Sequence, residues 1–535
     1  MKRTTIVRAL LAGSALFIST AAMAQEPEAQ PDLTDATADA VIAEAADLDD
    51  AQAKIELLQA QVEALQESIA QIQAAQAKVA PSWKGAPQLE DKEAGWSFKP
   101  RGRIQYDVGF SNNPDDAIVT HNLGFNARAR RIRLGAEGTI PGGLGYKFEM
   151  DFANANVGFG DVILTYTPTN APINVAIGNQ ETNNGLEQQT SSRFSSFVER
   201  AAFDDAFINT RRLGINLGYI NAAGDFRING GLWTAHSIDN SLDQNGWIGA
   251  MRTVYSPLMG VNQLHFGANF QYRKFSDNDN LNGSAAQTTS PSGAPSSNQV
   301  ARYRARPFTQ LTDVRFVDTG NYAAKSDYII GLEAAGIFKS FHVAAEGQYL
   351  HSDAYGAGDT ITFNPATDDP VDVLDQFASP TFVPDGNPSY WGGYIEAGYF
   401  ITGETRGYKN GLWDRTKVLK PFSQGGLGAF QVIGRVDYLD LNSKKLRNGC
   451  TNNFVTGACT APSLATLQGK GGQQLGLLAG LTWIPEDYAR VLLNYSHAFI
   501  EGGPFAAQVK PDSSKDINKR KYGNNTVQMR FQVDF

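Results

Sequence analysis

The sequence predicts an all-β fold, a transmembrane antiparallel barrel of about sixteen strands preceded by an α-helical coiled coil. Three observations predict it. The last nine residues, Val-Gln-Met-Arg-Phe-Gln-Val-Asp-Phe, alternate without a break, so that Val527, Met529, Phe531, Val533 and Phe535 share one face of a strand and Gln528, Arg530, Gln532 and Asp534 the other. A strand ending on an aromatic residue reads as the closing strand of an outer-membrane barrel, its apolar face toward lipid and its polar face toward a wet lumen. Short Gly/Pro/Asn turns alternate with long polar loops along the chain, and an export leader opens it.

Lys2, Arg3 and Arg8 precede the apolar run 9–22, which exits through Ala22-Met23-Ala24. This is a secretory signal peptide over residues 1–24. Beyond it no window is apolar enough for a membrane-spanning helix, so membrane residence has to come from strands. Residues 25–46 are rich in Ala, Pro, Asp and Glu without apolar period and read as a flexible acidic linker. Then Leu48, Ala51, Ile55, Leu58, Val62, Leu65, Ile69 and Ile72 recur at alternating spacings of three and four, the a and d positions of a coiled coil over 47–80, expected in the periplasm. Asp47, Asp49 and Asp50 complement the dipole of its first turn. A helix this short is marginal alone, so its seam needs a partner, either sister chains or its own barrel. β-Branched a positions with Leu at d favour two strands and Ile72 at d favours more, leaving the number open. Residues 81–95 form a linker, and 96–535 the barrel.

From Trp96 onward the alternation recurs. Ile104, Tyr106, Val108 and Phe110 make one apolar face, Tyr146, Phe148, Met150 and Phe152 another, Leu213, Ile215, Leu217 and Tyr219 a third, and further runs start at Leu264, Phe341 and Ile395. Turns such as Pro141-Gly142-Gly143 and Asn221-Ala222-Ala223-Gly224 contrast with polar stretches over 277–324 and 355–389, the asymmetry of an outer-membrane barrel. One connection on the turn side, 402–428, is unusually long.

Composition agrees: the 535 residues include 53 Gly, 30 Phe and 19 Tyr, which barrel walls and aromatic girdles consume. The net charge of −9 argues against a nucleic-acid partner and says little about a pore, whose selectivity depends on the charges lining it. Cys450 and Cys459 lie close together in a Gly/Thr/Asn-rich stretch of an exported chain and are expected to form a loop-closing disulfide. Six scattered histidines, no Gly-x-Ser-x-Gly elbow and no metal-spaced pair give no reason to expect an enzyme or a cofactor.

Several blocks in order carry a resemblance: Arg128-Ala-Arg-Arg-Ile-Arg-Leu-Gly135, Tyr146-Lys-Phe-Glu-Met-Asp-Phe-Ala153, Ser196-Phe-Val-Glu-Arg200, Arg306-Pro307 with Val317-Asp-Thr-Gly320, Phe400-Ile-Thr-Gly-Glu-Thr-Arg406, and Gly434-Arg-Val-Asp-Tyr-Leu-Asp-Leu441. Together they resemble the phosphate-selective porin O/P family over essentially 96–535. The resemblance implies a trimeric, sixteen-stranded porin whose third extracellular loop folds into the lumen, with inward Arg and Lys residues guiding phosphate.

Strand parity supplies the candidate residues independently. If Ile132 and Leu134 face lipid, Arg131 and Arg133 face the lumen, and the same test turns Arg103, Lys147, Arg212, Arg227, Arg252, Arg273, Arg435, Arg490 and Arg530 inward. Guanidinium forks suit the oxygens of phosphate. Arg193 and Arg200, in the loop expected to fold inward, are candidates for the constriction, and Arg302, Arg304 and Arg306 for a basic mouth. Parity also turns inward Asp107, Glu137, Glu149, Asp151, Asp161, Glu333, Glu346, Glu396, Asp437 and Asp534. Acids nearly balance bases. Three readings stay open at this level: an anion porin lined by arginines, a general weakly selective porin for small hydrophilic solutes, and an envelope tether with incidental pore activity.

Overall fold

The computed structural model describes residues 48–78, 82–83, 85–114, 123–153, 157–207, 209–235, 237–238, 246–275, 300–356, 360–362, 370–372, 384–446, 448–450, 467–468, 470–509 and 514–535. The leader and acidic linker expected over 1–46 lie outside these residues, as does Cys459 of the expected disulfide. Two units separate after Lys78. The first is described by one helix, α1 (Leu48–Lys78), an Ala/Gln/Glu-rich run without Gly or Pro, on which Ile55, Leu58, Val62, Leu65 and Ile69 stand half exposed or more.

The second unit is a closed antiparallel barrel. Its sixteen long strands are β1 (Trp96–Ser111), β2 (Phe125–Ile140), β3 (Leu144–Asp151), β4 (Gly158–Tyr166), β5 (Ile173–Gln180), β6 (Arg212–Ile220), β7 (Phe226–Thr234), β8 (Trp247–Tyr255), β9 (Asn262–Lys274), β10 (Tyr322–Phe338), β11 (Phe341–Ala354), β12 (Ser389–Phe400), β13 (Ala429–Asp440), β14 (Gln473–Glu486), β15 (Ala489–Glu501) and β16 (Lys521–Asp534). Each pairs with the next, and β16 returns to β1 in a register that sets Asp534 opposite Arg103 and Thr526 opposite Ser111. Closure leaves no open edge, so every wall strand can satisfy its backbone within the sheet, as hydrocarbon demands. At the seam the amides of Gly102 and Phe535 bond to each other's carbonyls at 3.1 and 3.0 Å. The Phe535 ring lies where a Cβ on residue 102 would stand, which accounts for glycine there.

The period-two pattern sorts the wall as the sequence indicated. On β16, Val527, Phe531 and Val533 are exposed while Gln528, Arg530, Gln532 and Asp534 are buried. Leu332 and Ile395 keep 67% and 66% of their surface on the outside. A continuous exposed apolar face of this kind is a liability in water and the proper solvent-facing surface in lipid.

The interior departs from an open pipe. The connection between β5 and β6, residues 181–211, crosses the lumen as an inner loop containing two short helices, α2 (Leu186–Gln189) and α3 (Ala202–Phe207). The wall holds it from several sides. The amide of Glu187 donates to Glu346 of β11 at 2.9 Å, that of Ala202 to Asp437 of β13 at 3.2 Å and that of Val198 to Asn494 of β15 at 2.7 Å, while Arg490 and Arg530 donate to its carbonyls. A Cβ at Gly185 would collide with the Glu346 carboxylate, so the close approach of this loop to β11 requires glycine. Residues 300–321, between β9 and β10, cover the inner loop from the loop side; Arg306 pairs with Asp205 at 3.2 Å.

The result is a dry core inside half of the barrel. Phe197, Phe203 and Phe207 of the inner loop pack with Tyr303, Phe316, Tyr322, Tyr390 and Tyr394, all almost fully buried. Phe203 stacks on Tyr394 at 6.2 Å, and Tyr303 meets Tyr390 at 5.1 Å. At about 1.5–3 kcal/mol per buried side chain, this cluster is a large share of what holds the loop in place.

The long connection 401–428 enters the same half from the turn side. Its hairpin, Gly407–Lys409 against Leu412–Asp414, turns through Asn410 and Gly411 at φ of 56° and 76°, the Asn-Gly pair that a two-residue turn of this hand favours. Tyr408 Oη bonds to His265 Nδ1 at 2.7 Å, Arg252 donates to the Gly411 carbonyl at 3.1 Å, and Trp413 is buried against His342 and Arg406.

Candidate functional site

The arginine-rich strand β2 does not keep strict alternation. Opposite it on β1, Gln105 pairs with Arg131 but Tyr106 pairs with Ala129, a one-residue bulge at Arg130. The extra residue puts Arg130 on the same side as Arg131. Arg130 therefore reaches the inner loop, pairing with Glu199 at 3.0 and 3.3 Å, while Arg128 donates to the Gln310 carbonyl at 2.8 Å. Parity from Ile132 misses Arg128 and Arg130, because a bulge inverts the parity of everything before it.

Two cavities flank the inner loop on the side of β1 to β6. The deeper one, of about 280 Å³, is lined by eight cationic side chains, Arg101, Arg103, Arg131, Arg133, Lys147, Arg193, Arg200 and Arg211, against the carboxylates Glu149, Asp161 and Glu181. The outer one, of about 550 Å³, has Arg128, Arg130 and Arg306 on its wall, with Asp151, Glu181, Glu199, Asp204, Asp205 and Asp313 nearly balancing its cations. Six side chains line both: Arg131, Arg133, Glu181, Gln188, Arg200 and Arg211. They are the neck between the two.

The neck cations are not equivalent. Arg133 is paired with Glu149 at 2.6 Å and Asp151 at 2.7 Å, and Arg211 is paired with Asp161 and with Glu181 at 2.9 Å. Among the described residues Arg131 bonds only to the neutral Gln105 at 2.9 Å, and Arg200 donates to the carbonyls of Glu187, Gln188 and Thr190 at 3.0, 3.1 and 2.9 Å. Among the described residues neither forms an ion pair, so their positive charge is not cancelled at contact range. The inner loop holds Arg200 by its own backbone, which fixes the guanidinium without neutralising it.

Charge on the loop follows its surroundings. Burial would push the Glu199 carboxyl up, but Arg130 and Arg530 hold it well below the usual carboxylate range, so it stays ionised. Asp204, on the other flank, is driven the opposite way by burial and then by Glu187, and neither of its oxygens finds a hydrogen-bond partner among the described residues.

Of the sixteen cations singled out from sequence, Arg490 and Arg530 hold the inner loop through its carbonyls, and the other fourteen divide into groups. Arg103, Arg131, Arg133, Lys147, Arg193 and Arg200 line the deeper cavity, and Arg306 the outer one. Arg252, Arg273 and Arg435 point inward as parity required, yet they line neither cavity, which corrects the expectation that inward arginines line the passage. Arg252 is buried against Glu333, Arg273 against Asp327, and Arg435 against Glu187 and Glu396 at 3.0 and 2.6 Å, between the rings of Phe197 and Tyr394. They fasten the packed half, for which unpaired buried charge would be prohibitive. Arg302 pairs with Asp318, Arg212 donates to the neighbouring Thr210 and Arg211, Arg227 donates to the Gly224 carbonyl, and Arg304 lies in the covering loop; none of these four lines either cavity. Arg101, Arg128, Arg130 and Arg211 are lining residues that were not singled out. Arg101 shares the parity of Arg103 and was legible; Arg211 precedes its strand and carries no parity.

Comparison with known proteins agrees with this architecture. The family model described as "Phosphate-selective porin O and P" matches residues 98–535. An uncharacterised protein of Caulobacter vibrioides is 32% identical over 470 residues, 86% of this chain and 78% of its own length. Porin O of Pseudomonas aeruginosa is 28% identical over 210 residues, which is 38% of this chain and 47% of that protein. The solved anion-selective porin from Comamonas acidovorans is similar over 82% of this chain and all of its own, at 12% identity and a TM-score of 0.43. With the family's model matched across the whole barrel, this outer-membrane channel belongs to the family of phosphate-selective porins O and P.

Proposed function

We propose that this porin guides small oxyanions, phosphate among them, through the neck between β2 and the inner loop, and that Arg131 and Arg200 are the residues an anion meets there. The observation that carries the reading is the pair of neck arginines without a carboxylate partner, set above a deeper cavity with eight cations and three carboxylates. In a narrow passage with low-dielectric walls, two uncancelled charges raise the local anion concentration and lower that of cations. Guanidinium groups present forked N–H donors that match oxyanions better than chloride. The paired cations Arg133 and Arg211 orient the wall, and the passage is passive.

Reversal potentials across a planar bilayer in a potassium chloride gradient test the reading directly. The expected sign is that of anion preference, with chloride current blocked by added phosphate. A cation-selective or unselective channel would sink it and leave a general porin.

The same proposal extends to assembly and export. Residues 1–24 are a leader removed on export and 25–46 a tether; the seam of α1 joins sister chains in a periplasmic coiled coil, supported by five apolar a and d residues exposed on the isolated helix. We assign a homotrimer, and a Cys450–Cys459 disulfide in an outer loop. Replacing Ile55, Leu58, Val62 and Leu65 by Ser is expected to abolish the helical circular dichroism of this segment and leave the barrel folded. Unchanged helicity would rule out the coiled coil.

A further inference from the structure

We infer that the deeper cavity is built for a polyhydroxylated organic anion, a sugar phosphate or sugar acid, in preference to a bare oxyanion; this rests on the anion reading of the neck. Inorganic phosphate is almost entirely hydrogen-bond acceptor, so a site dedicated to it would line its walls with donors. This cavity has such donors in its eight cations but sets acceptor-bearing side chains among them, Asn183, Gln188, Gln189, Thr190 and Asn216 together with the carboxylate of Glu181.

The amide nitrogens of the inner loop are already engaged. Asn183 donates to Asn216 at 2.9 Å, Gln188 donates to Glu181 at 2.9 Å, and Gln189 donates to the Thr182 carbonyl. Their side-chain carbonyl oxygens accept no hydrogen bond from the described residues and are free to accept one from a solute. The hydroxyl of Thr190, a residue 2% exposed, finds no partner among the described residues. A buried hydroxyl without a partner costs free energy unless a ligand or water meets it. A ligand that matches the whole wall therefore carries one anionic group for Arg131 and Arg200 and several hydroxyls that donate to these oxygens. At about 280 Å³, joined through the neck to a further 550 Å³, the space exceeds what a bare tetrahedral ion fills and suits a six-carbon solute.

The experiment compares blockers of chloride current through the full-length wild-type channel in a bilayer. Gluconate is set against acetate as a carboxylate pair, and glucose 6-phosphate against inorganic phosphate as a phosphate pair. Within each pair the hydroxylated anion is expected to block at about tenfold lower concentration, the worth of one or two net hydrogen bonds. The pair with the larger ratio identifies the anionic group. Asn183→Ala, and separately Asn216→Ala on strand β6, which leaves the loop sequence intact, are expected to shrink the ratio. Equal blocking within both pairs, in a channel that still prefers anions, overturns this inference alone. Loss of anion preference itself overturns the function it rests on.

Discussion

On the side of β1 to β6 the inward side chains are Arg, Lys and Glu around open cavities, whereas on the side of β10 to β15 inward residues of the same chemical types, Glu333, Glu346, Glu396, Arg435 and Asp437, are sealed under aromatic rings. Both walls follow the same alternation. The difference comes from what lies on them: the inner loop packs Phe197, Phe203 and Phe207 on one wall and turns Gln188, Arg193 and Arg200 to the cavity on the other. An inward arginine is thus a solute ligand or a rivet according to which face of one loop it meets. On the sealed side Glu333, Glu396 and Arg435 are held in ion pairs and Glu346 and Asp437 accept from inner-loop amides, because desolvation forces a partner on each; charges on the open side can remain unpaired because the cavity gives them access to solvent and solute.

The largest effect is expected where a rivet is pulled. Arg435→Met leaves Glu187 and Glu396 buried without their cation and should destabilise docking of the inner loop by about 3–5 kcal/mol. Hydrogen exchange across 186–207 reads it, and unchanged protection would mean the ion pairs do not hold the loop. Phe203→Ala opens a void beneath Tyr394 and should cost about 3 kcal/mol, again as loop mobility, with noisier and larger conductance. A quiet channel of normal size would show that the dry core is dispensable.

On the open side the sharper comparison is between two arginines two residues apart. Arg131→Gln removes an uncancelled charge and should shift the anion/cation permeability ratio severalfold toward cations, on the order of 1 kcal/mol. Arg133→Gln removes a charge already shared with Glu149 and Asp151, so its shift should be clearly smaller. Equal shifts in the reversal potential would make pairing irrelevant to selectivity.

The smallest effect concerns pH. Asp204 has its carboxyl pushed well above its ordinary value of 3.8 by burial. The folded chain keeps that proton after the unfolded chain has lost it, so as pH rises through the ordinary value, loop docking weakens until the folded pKa is reached. Glu199, held low by Arg130, has the opposite sign and loses its contribution only as pH falls. Asp204→Asn should remove the alkaline weakening, by about 1 kcal/mol. Identical proteolysis of the inner loop in wild type and variant at pH 5 and pH 8 would contradict it.

What the sequence by itself determined is the barrel and the facing of most of its residues. Alternation such as that of 527–535 is a local property of a pleated strand, and a membrane leaves a chain without spanning helices only closed β-pairing to satisfy its backbone. Sixteen strands, the turn asymmetry and the inward direction of Arg103, Lys147, Arg252 and Arg435 were all legible in that way. Only the tertiary structure decided which inward residues reach a solute. Arg130 turns inward through a bulge that exists in the pairing of two strands and not in either strand's pattern. Arg200 and Arg211 take their places from a loop whose course is set by contacts with β11, β13 and β15, far along the chain. The hairpin within 402–428 could be noticed as an unusually long turn, but its Asn-Gly tip specifies a bend and not a direction. Strand facing follows from period two between neighbours in sequence, whereas occupancy of the lumen follows from packing between segments that alternation cannot relate.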